Sequence, residues 1–208
     1  MTKTLDVLVV GSDPLATEEA ERTLSGQGHR VHRCHEPGQP AFPCVGLTDP
    51  DRCPLDHAVD VALLVRRGVH PRPMPAEDGV RCAIRAGVPI VAGGSDLFDP
   101  FDPWVARRVG AHDDLGAACV AAAERRFDPL RSLVRERIAR LAAAAGTSAN
   151  EVTCRIEPSG ADLEIDLYVP VPVDRRLQQA LAVRVLDAVH ASGRTYGHID
   201  VNVHDATG

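Results

Sequence analysis

"TLDVLVVGSD" (residues 4–13) is a short apolar run that ends in turn residues, the pattern of a strand buried on both faces. Asp13 followed by Pro14 supplies an N-cap and a proline at the first helical position. Ala16, Ala20 and Leu24 continue at helical spacing, and Gly26 or Gly28 can close that helix. Working outward, "HRVHRC" (29–34) reads as a second strand, "VDVALLV" (59–65) as a third and "VPIVAGG" (88–94) as a fourth. "AEDGVRCAIRAG" (76–87) reads as a helix with Val80 and Ile84 inward. "FDPWVARRVG" (101–110) reads as a short helix, "AHDDL" (111–115) as a fifth strand or turn, and "GAACVAAAERRF" (116–127) as a helix. Buried strands alternating with helices predict an α/β fold, a doubly wound parallel sheet covered on both faces. Ligands in such sheets sit outside the carboxyl ends of the strands. Here those ends carry Gly11, Ser12, Asp13, Arg66, Gly93, Gly94 and Ser95.

The pattern changes at Asp128, which divides the chain into residues 1–127 and 128–208. "DPLRSLVRERIARLAAAAG" (128–146) places Leu130, Leu133, Val134, Ile138 and Leu141 on one helical face, and Gly146 ends it. "EVTCRIEPSGADLEIDLYVPV" (151–171) predicts a hairpin turning at Ser159-Gly160, with Leu163, Ile165, Leu167 and Val169 on one side. A helix over 173–193 buries Leu177, Leu181, Val185 and Val189. A last strand, "HIDVNVHD" (198–205), buries Ile199, Val201 and Val203. This is a small α+β module.

Composition sets the outer limits. The chain is 44% hydrophobic and 25% charged over 208 residues, which fits packed globular units and argues against disorder. A net charge of −6 gives no electrostatic footprint for nucleic acid. No apolar run approaches the roughly 20 residues of a membrane span, and "MTKTLDVLVVGSD" has no export-signal cleavage site. A cytoplasmic protein without membrane insertion is expected, with its six cysteines as thiols or metal ligands rather than disulfides.

Residues 34–57, "CHEPGQPAFPCVGLTDPDRCPLDH", hold three cysteines, two histidines and five prolines with no helical or strand period. Cys34, Cys44 and Cys53 are separated by nine and eight residues, and His57 follows Cys53 after three. Three thiols and one imidazole suit tetrahedral zinc. They also suit an iron–sulphur cluster, with Cys53-Pro54 resembling some cluster ligands. His35 and His32 compete for the fourth place. Two other readings stand beside these: thiols that bind no metal, and a Cys44–Cys53 disulfide. Cys82, Cys119 and Cys154 fall on predicted core faces.

Other clusters have simpler readings. Gly11 and Ser12 with Gly93 and Gly94 could form a strand-end pocket for a nucleotide, or tight turns that need glycine. His198, Asp200, Asn202 and His204, with Glu164 and Asp166, fit either a metal or partner site or the solvated face of an antiparallel sheet. Arg125, Arg126, Arg131, Arg135, Arg137 and Arg140 make the linking helix basic, which fits either binding of an acidic partner or a solvated face with ion pairs. No catalytic set is visible; Cys53 with His57 is the nearest, without an oxyanion site.

Three stretches, "VLVVGSDPLATEEAERTLSGQGHRVHRC", "VDVALLVRRG" followed by Asp78-Gly79, and "VPIVAGGSD" with "WVARRVGAHDDL", resemble the receiver domain of response regulators. The resemblance implies a flavodoxin-like sheet. It also implies an acidic pair at Gly11 and Ser12, a phosphate-accepting aspartate at Val65, a hydroxyl at Gly93 and a lysine at Ala117. Each is replaced, so the carboxylates, the nucleophile and the cation of phosphoryl transfer are missing. The cysteine loop stands where the second helix belongs. Residues 151–206 are similar to the alkaline shock protein family, which implies association. The expectation is a non-enzymatic regulatory or scaffold protein that binds a protein partner or forms a homo-oligomer, with a metal-binding loop. The alternative is a redox or small-molecule sensor, or a small enzyme, using the cluster or the strand-end pocket.

Overall fold

The computed structural model describes residues 4–35, 40–57, 59–68, 71–94, 99–159 and 162–206. The chain divides into two compact units, Met1–Arg126 and Phe127–Gly208.

The first unit is an α/β doubly wound fold. Strands β1 (Asp6–Gly11), β2 (Arg30–His32), β3 (Val61–Arg66), β4 (Ile90–Gly94) and β5 (Val105–Val109) pair in parallel in the order β2-β1-β3-β4-β5. This is the flavodoxin-like order, whose crevice lies between β1 and β3 at their carboxyl ends. Period-two alternation sends Val7, Val9, Leu63 and Val91 to one face, against Ala20 and Leu24 of α1 (Pro14–Gly26) and Ala118 and Cys119 of α4 (Leu115–Arg125). Leu8, Val10, Leu64 and Ile90 go to the other, against Val80 and Ala83 of α3 (Asp78–Arg85). Each fully buried leucine or isoleucine of this core contributes about 1.5–3 kcal/mol relative to exposure. Helix α1 starts as the sequence indicates: the Asp13 carboxylate accepts from Ala16 N–H at 3.0 Å and Pro14 follows it.

Residues 105–109 correct the expectation of a helix over 101–110. A 3₁₀ turn, Asp102–Trp104, leads into β5. The register jumps from Ile90↔Val105 to Val91↔Arg107, so one residue bulges out of the ladder. Val105 therefore packs on the α3 face and Val109 on the α1/α4 face. The bulge breaks the alternation that would mark the segment as a strand.

At the β1–β2 edge, Asp6 accepts from Arg30 Nε and from His32, each at 2.8 Å. The Arg30 guanidinium holds the Asp6 carboxyl below the usual carboxylate range against the opposing effect of burial, and His32 adds to it. A depressed folded-state pKa stabilises the fold above the unfolded value and is lost as pH falls through the folded one. Asp6→Asn should therefore flatten the acid limb of stability below about pH 4. Because the Arg30 side chain is 67% exposed, the effect should stay within about 1 kcal/mol. Melting curves at neutral and acid pH check it; an unchanged acid limb in the variant contradicts it.

The second unit places α5 (Asp128–Ala144) and α6 (Arg175–Ala191) on a mixed sheet of β6 (Thr153–Ser159), β7 (Asp162–Val169) and β8 (Ile199–Asp205). β6 and β7 are antiparallel, β7 and β8 parallel. Leu163, Ile165, Leu167 and Val169 of central β7 meet Leu130, Val134 and Ile138 of α5 and Leu181, Val185 and Val189 of α6. Gly160, expected in the hairpin turn, lies outside the described residues.

Candidate functional site

The carboxyl edge of the five-stranded sheet is closed by an ion cluster. Arg66, the last residue of β3, is 3% exposed and Glu77, just before α3, is 0% exposed. Arg66 Nε donates to Glu77 Oε1 at 2.9 Å, and Ser12 Oγ donates to the same oxygen at 3.1 Å. Glu77 Oε2 accepts from Met74 N–H at 2.9 Å and from Arg66 Nη2 at 3.3 Å. Asp99 faces Arg66 Nη1 at 3.6 Å, accepts from Phe101 N–H at 2.9 Å and from Arg108 Nη2 at 3.0 Å. The two buried carboxylates thus spend their oxygens on protein donors, which leaves a charge-balanced set rather than a cradle for a cation. Sequence reasoning placed Arg66 at this edge and missed Glu77 and Asp99. The available signal was Arg66 itself, a cation at the end of an otherwise apolar strand, which requires a buried acid nearby.

Beside this cluster lies a cavity of about 330 Å³ at the ends of β1 and β2. Val9, Val10, Gly11 and Ser12 form one wall, Thr17 of α1 a second, and Cys34 and His35 a third. The sequence's pocket residues separate here: Gly11 and Ser12 line the cavity, while Gly93 and Gly94 are not among its lining residues. Gly11 is held small by its surroundings, since a Cβ there would lie 2.5 Å from Thr17 Oγ1 and 2.7 Å from the Val65 carbonyl oxygen. The N-terminus of α1 already donates to Asp13. Ser95 lies outside the described residues. Nδ1 of His35 is buried without a hydrogen-bond partner among the described residues, and Arg33 is paired with Glu21.

The cysteine loop forms the outer wall of the same corner. Its pieces are the single turn α2 (Val45–Thr48) and two 3₁₀ turns, Pro50–Arg52 and Pro54–Asp56. Among its described residues only Pro54 is buried. Burial pushes the Cys34 thiol up to about 12, and the thiols of Cys44, Cys82 and Cys53 lie near enough to raise it further. His57 turns away from its sequence-assigned role: its Nε2 pairs with the Asp51 carbonyl at 2.9 Å. His32 pairs with Asp6. Among the described residues, no three His, Cys, Asp or Glu side chains stand at a common coordination point, Cys34, Cys44, Cys53 and His57 included. Cys119 and Cys154 are buried core residues with thiols pushed up by burial to about 12 and about 11. Cys82 is half-buried on α3 and accepts from Arg85 Nη2 at 3.3 Å, so it is no simple packing residue.

On the outer sheet face of the second unit, like charges and one His–Asp pair stand side by side. Glu164 stands beside Asp200 and Asp166 beside Asn202. His204 Nε2 meets Asp166 Oδ1 at 2.8 Å and its ring stacks on Tyr168 at 4.8 Å. On the linking helix, Arg131 donates to Asp128 at 2.9 Å.

No protein-family model matches the chain, and no curated protein matches it in sequence. Among the described residues no helix is long and apolar enough to cross a membrane.

Proposed function

We propose that the chain is a non-enzymatic regulatory or scaffold protein of the cytoplasm. Its first unit is a receiver-like domain that has exchanged phosphoryl chemistry for a fixed binding surface. Its second promotes self-association, and the whole works through a protein partner or further copies of itself. The observation that carries this reading is the ion cluster at the carboxyl edge. Phosphoryl transfer there needs carboxylates free to hold a cation and an exposed nucleophile. Instead Glu77 and Asp99 are consumed by Arg66 and Arg108, and Gly11 and Val65 stand side by side in the β1–β3 register. The rim supports contact with a protein: Leu15, next to cavity-lining Pro14, and Phe42, next to cavity-lining Ala41, are each 70% exposed. For association, β6 and β8 each leave one edge without a strand partner among the described residues.

A small-molecule sensor is the second reading, favoured by one observation: Nδ1 of His35, in the wall of the 330 Å³ cavity, has no hydrogen-bond partner among the described residues.

The full chain incubated with acetyl phosphate and Mg²⁺ should keep its unmodified intact mass, and light scattering should give the mass of more than one chain. A stoichiometric phosphoryl adduct overturns the loss of receiver chemistry. A single-chain mass at every concentration overturns the association.

A further inference from the structure

The loop over residues 34–57 takes the place of a covering helix yet brings almost nothing to the core. Among its described residues Pro54 alone is buried, with Cys34 and Leu55 packed at the margin of the α3-side core. Ordering that much backbone and side chain needs a compensating interaction that apolar burial does not supply here. Small, poorly cored segments are ordinarily held by disulfides or by a structural metal.

The thiols of Cys44 and Cys53 in the loop and of Cys82 on α3 lie near that of Cys34, without a common coordination point among the described residues. A Cβ on Gly46 would lie 2.7 Å from Cys53 Cβ and 3.2 Å from its Sγ, so Cys53 rests on the turn whose N-cap is Cys44. A Cβ on Gly79 would lie 2.8 Å from Cys34 Sγ. Cys34 therefore rests on the first turn of α3, and Cys82 follows Gly79 by three residues on the same helical side. Val45 N–H donates to the Cys34 carbonyl at 2.8 Å, tying the two pairs together. Either glycine replaced by a larger residue would push a cysteine out of the corner.

We propose that Cys34, Cys44, Cys53 and Cys82 bind one zinc ion as a tetrahedral four-sulphur site, with Cys82 of α3 in the place that sequence spacing gives to His57. Such a site fastens the loop to α3, an element of the core. Four thiolates are the common donor set of structural zinc. His57 is engaged with the Asp51 carbonyl, whereas Cys82 lies near Cys34 and accepts from Arg85. That guanidinium becomes the outer-shell donor to a ligating thiolate and offsets part of the site's charge. Among the described residues no three of these sulphurs share a coordination point, so binding has to draw them together by side-chain rotation and movement of the backbone around them. Cys44 and Cys53 sit at turn boundaries and Cys34 just past the end of β2, where no ladder locks the backbone. Binding converts four thiols and one Zn²⁺ into a four-thiolate complex of net charge −2 and releases four protons to solvent, so affinity falls as pH falls. The site is independent of the partner-binding reading above: zinc content can fail without touching phosphorylation or mass, and the reverse.

The test uses untagged full-length protein in reducing buffer. Elemental analysis should give one zinc per chain. Chelator competition should show Cys82→Ser weakened at least tenfold while His57→Ala and Cys119→Ser stay within twofold of the parent. Cobalt substitution of the unaltered protein covers the case in which a variant does not fold. It should give the intense visible bands of a tetrahedral site with strong sulphur-to-metal charge transfer. A Cys82→Ser protein that holds zinc like the parent overturns the assignment, as does loss of zinc in His57→Ala. Iron with inorganic sulphide, a Cys44–Cys53 disulfide in a metal-free protein, or no metal at all overturns the site itself.

Discussion

Replacing Glu77 with alanine should lower the unfolding free energy of the first unit by about 3–5 kcal/mol. Glu77 is fully buried and answers Arg66, which is 3% exposed. Its removal takes the nearest carboxylate from a guanidinium inside the protein, which keeps the Arg72 carbonyl at 3.3 Å and Asp99 at 3.6 Å, a carboxylate that also serves Arg108. It also strips the Ser12 hydroxyl and the Met74 N–H of their acceptor. Glu77→Gln should cost less, because the amide oxygen still accepts a hydrogen bond while the countercharge is gone. Urea unfolding of the full chain, followed by a probe in each unit, reads both values. A loss below about 1 kcal/mol for the alanine variant would match an exposed ion pair instead.

The second large effect lies one strand away. Gly94 has φ +107°, and a Cβ on it would lie 1.8 Å from the Arg66 carbonyl oxygen and 2.9 Å from its carbonyl carbon. The obstacle is β3 backbone, which cannot swing aside as a side chain would. Gly94→Ala therefore combines a strained backbone region with a direct collision, and the expected cost is upwards of about 3 kcal/mol. Gly26 makes the control. Nothing stands within 4 Å of its would-be Cβ, so Gly26→Ala at the end of α1 should be neutral or stabilise by up to about 1 kcal/mol. Thermal melts of the two variants should move in opposite directions or by very different amounts; equal shifts contradict the steric argument.

These two positions show what the sequence carried and what it did not. Period-two runs such as "DVLVVG" and the Asp13-Pro14 helix start are local signals, and the α/β sheet and helix α1 follow from them. Strand β5 did not follow, because a bulge moves Val105 and Val109 to opposite faces. The ion cluster was half legible: Arg66 ends an apolar strand, but Glu77 and Asp99 lie 11 and 33 residues further on, and only the sheet order brings them together. Gly94 was legible as a turn glycine; the reason for it, a neighbouring carbonyl, is tertiary. In the cysteine loop the three thiols were read from spacing. Cys82 was hidden because it belongs to a helix whose pattern, Val80 and Ile84, is that of core packing. His57 drew attention by its spacing from Cys53, although its ring meets a local carbonyl.

The account depends on the carboxyl edge being closed by a structural ion pair, and a double-mutant cycle on Arg66 and Glu77 tests that most directly. With Arg66→Met, Glu77→Leu and the pair combined, the coupling energy should be at least about 2 kcal/mol. The double variant should be more stable than either single one, since apolar side chains of similar size can replace a buried pair. Additive single losses, with the double variant the least stable of the three, would mean that the two charges act separately and that the edge is not closed in this way.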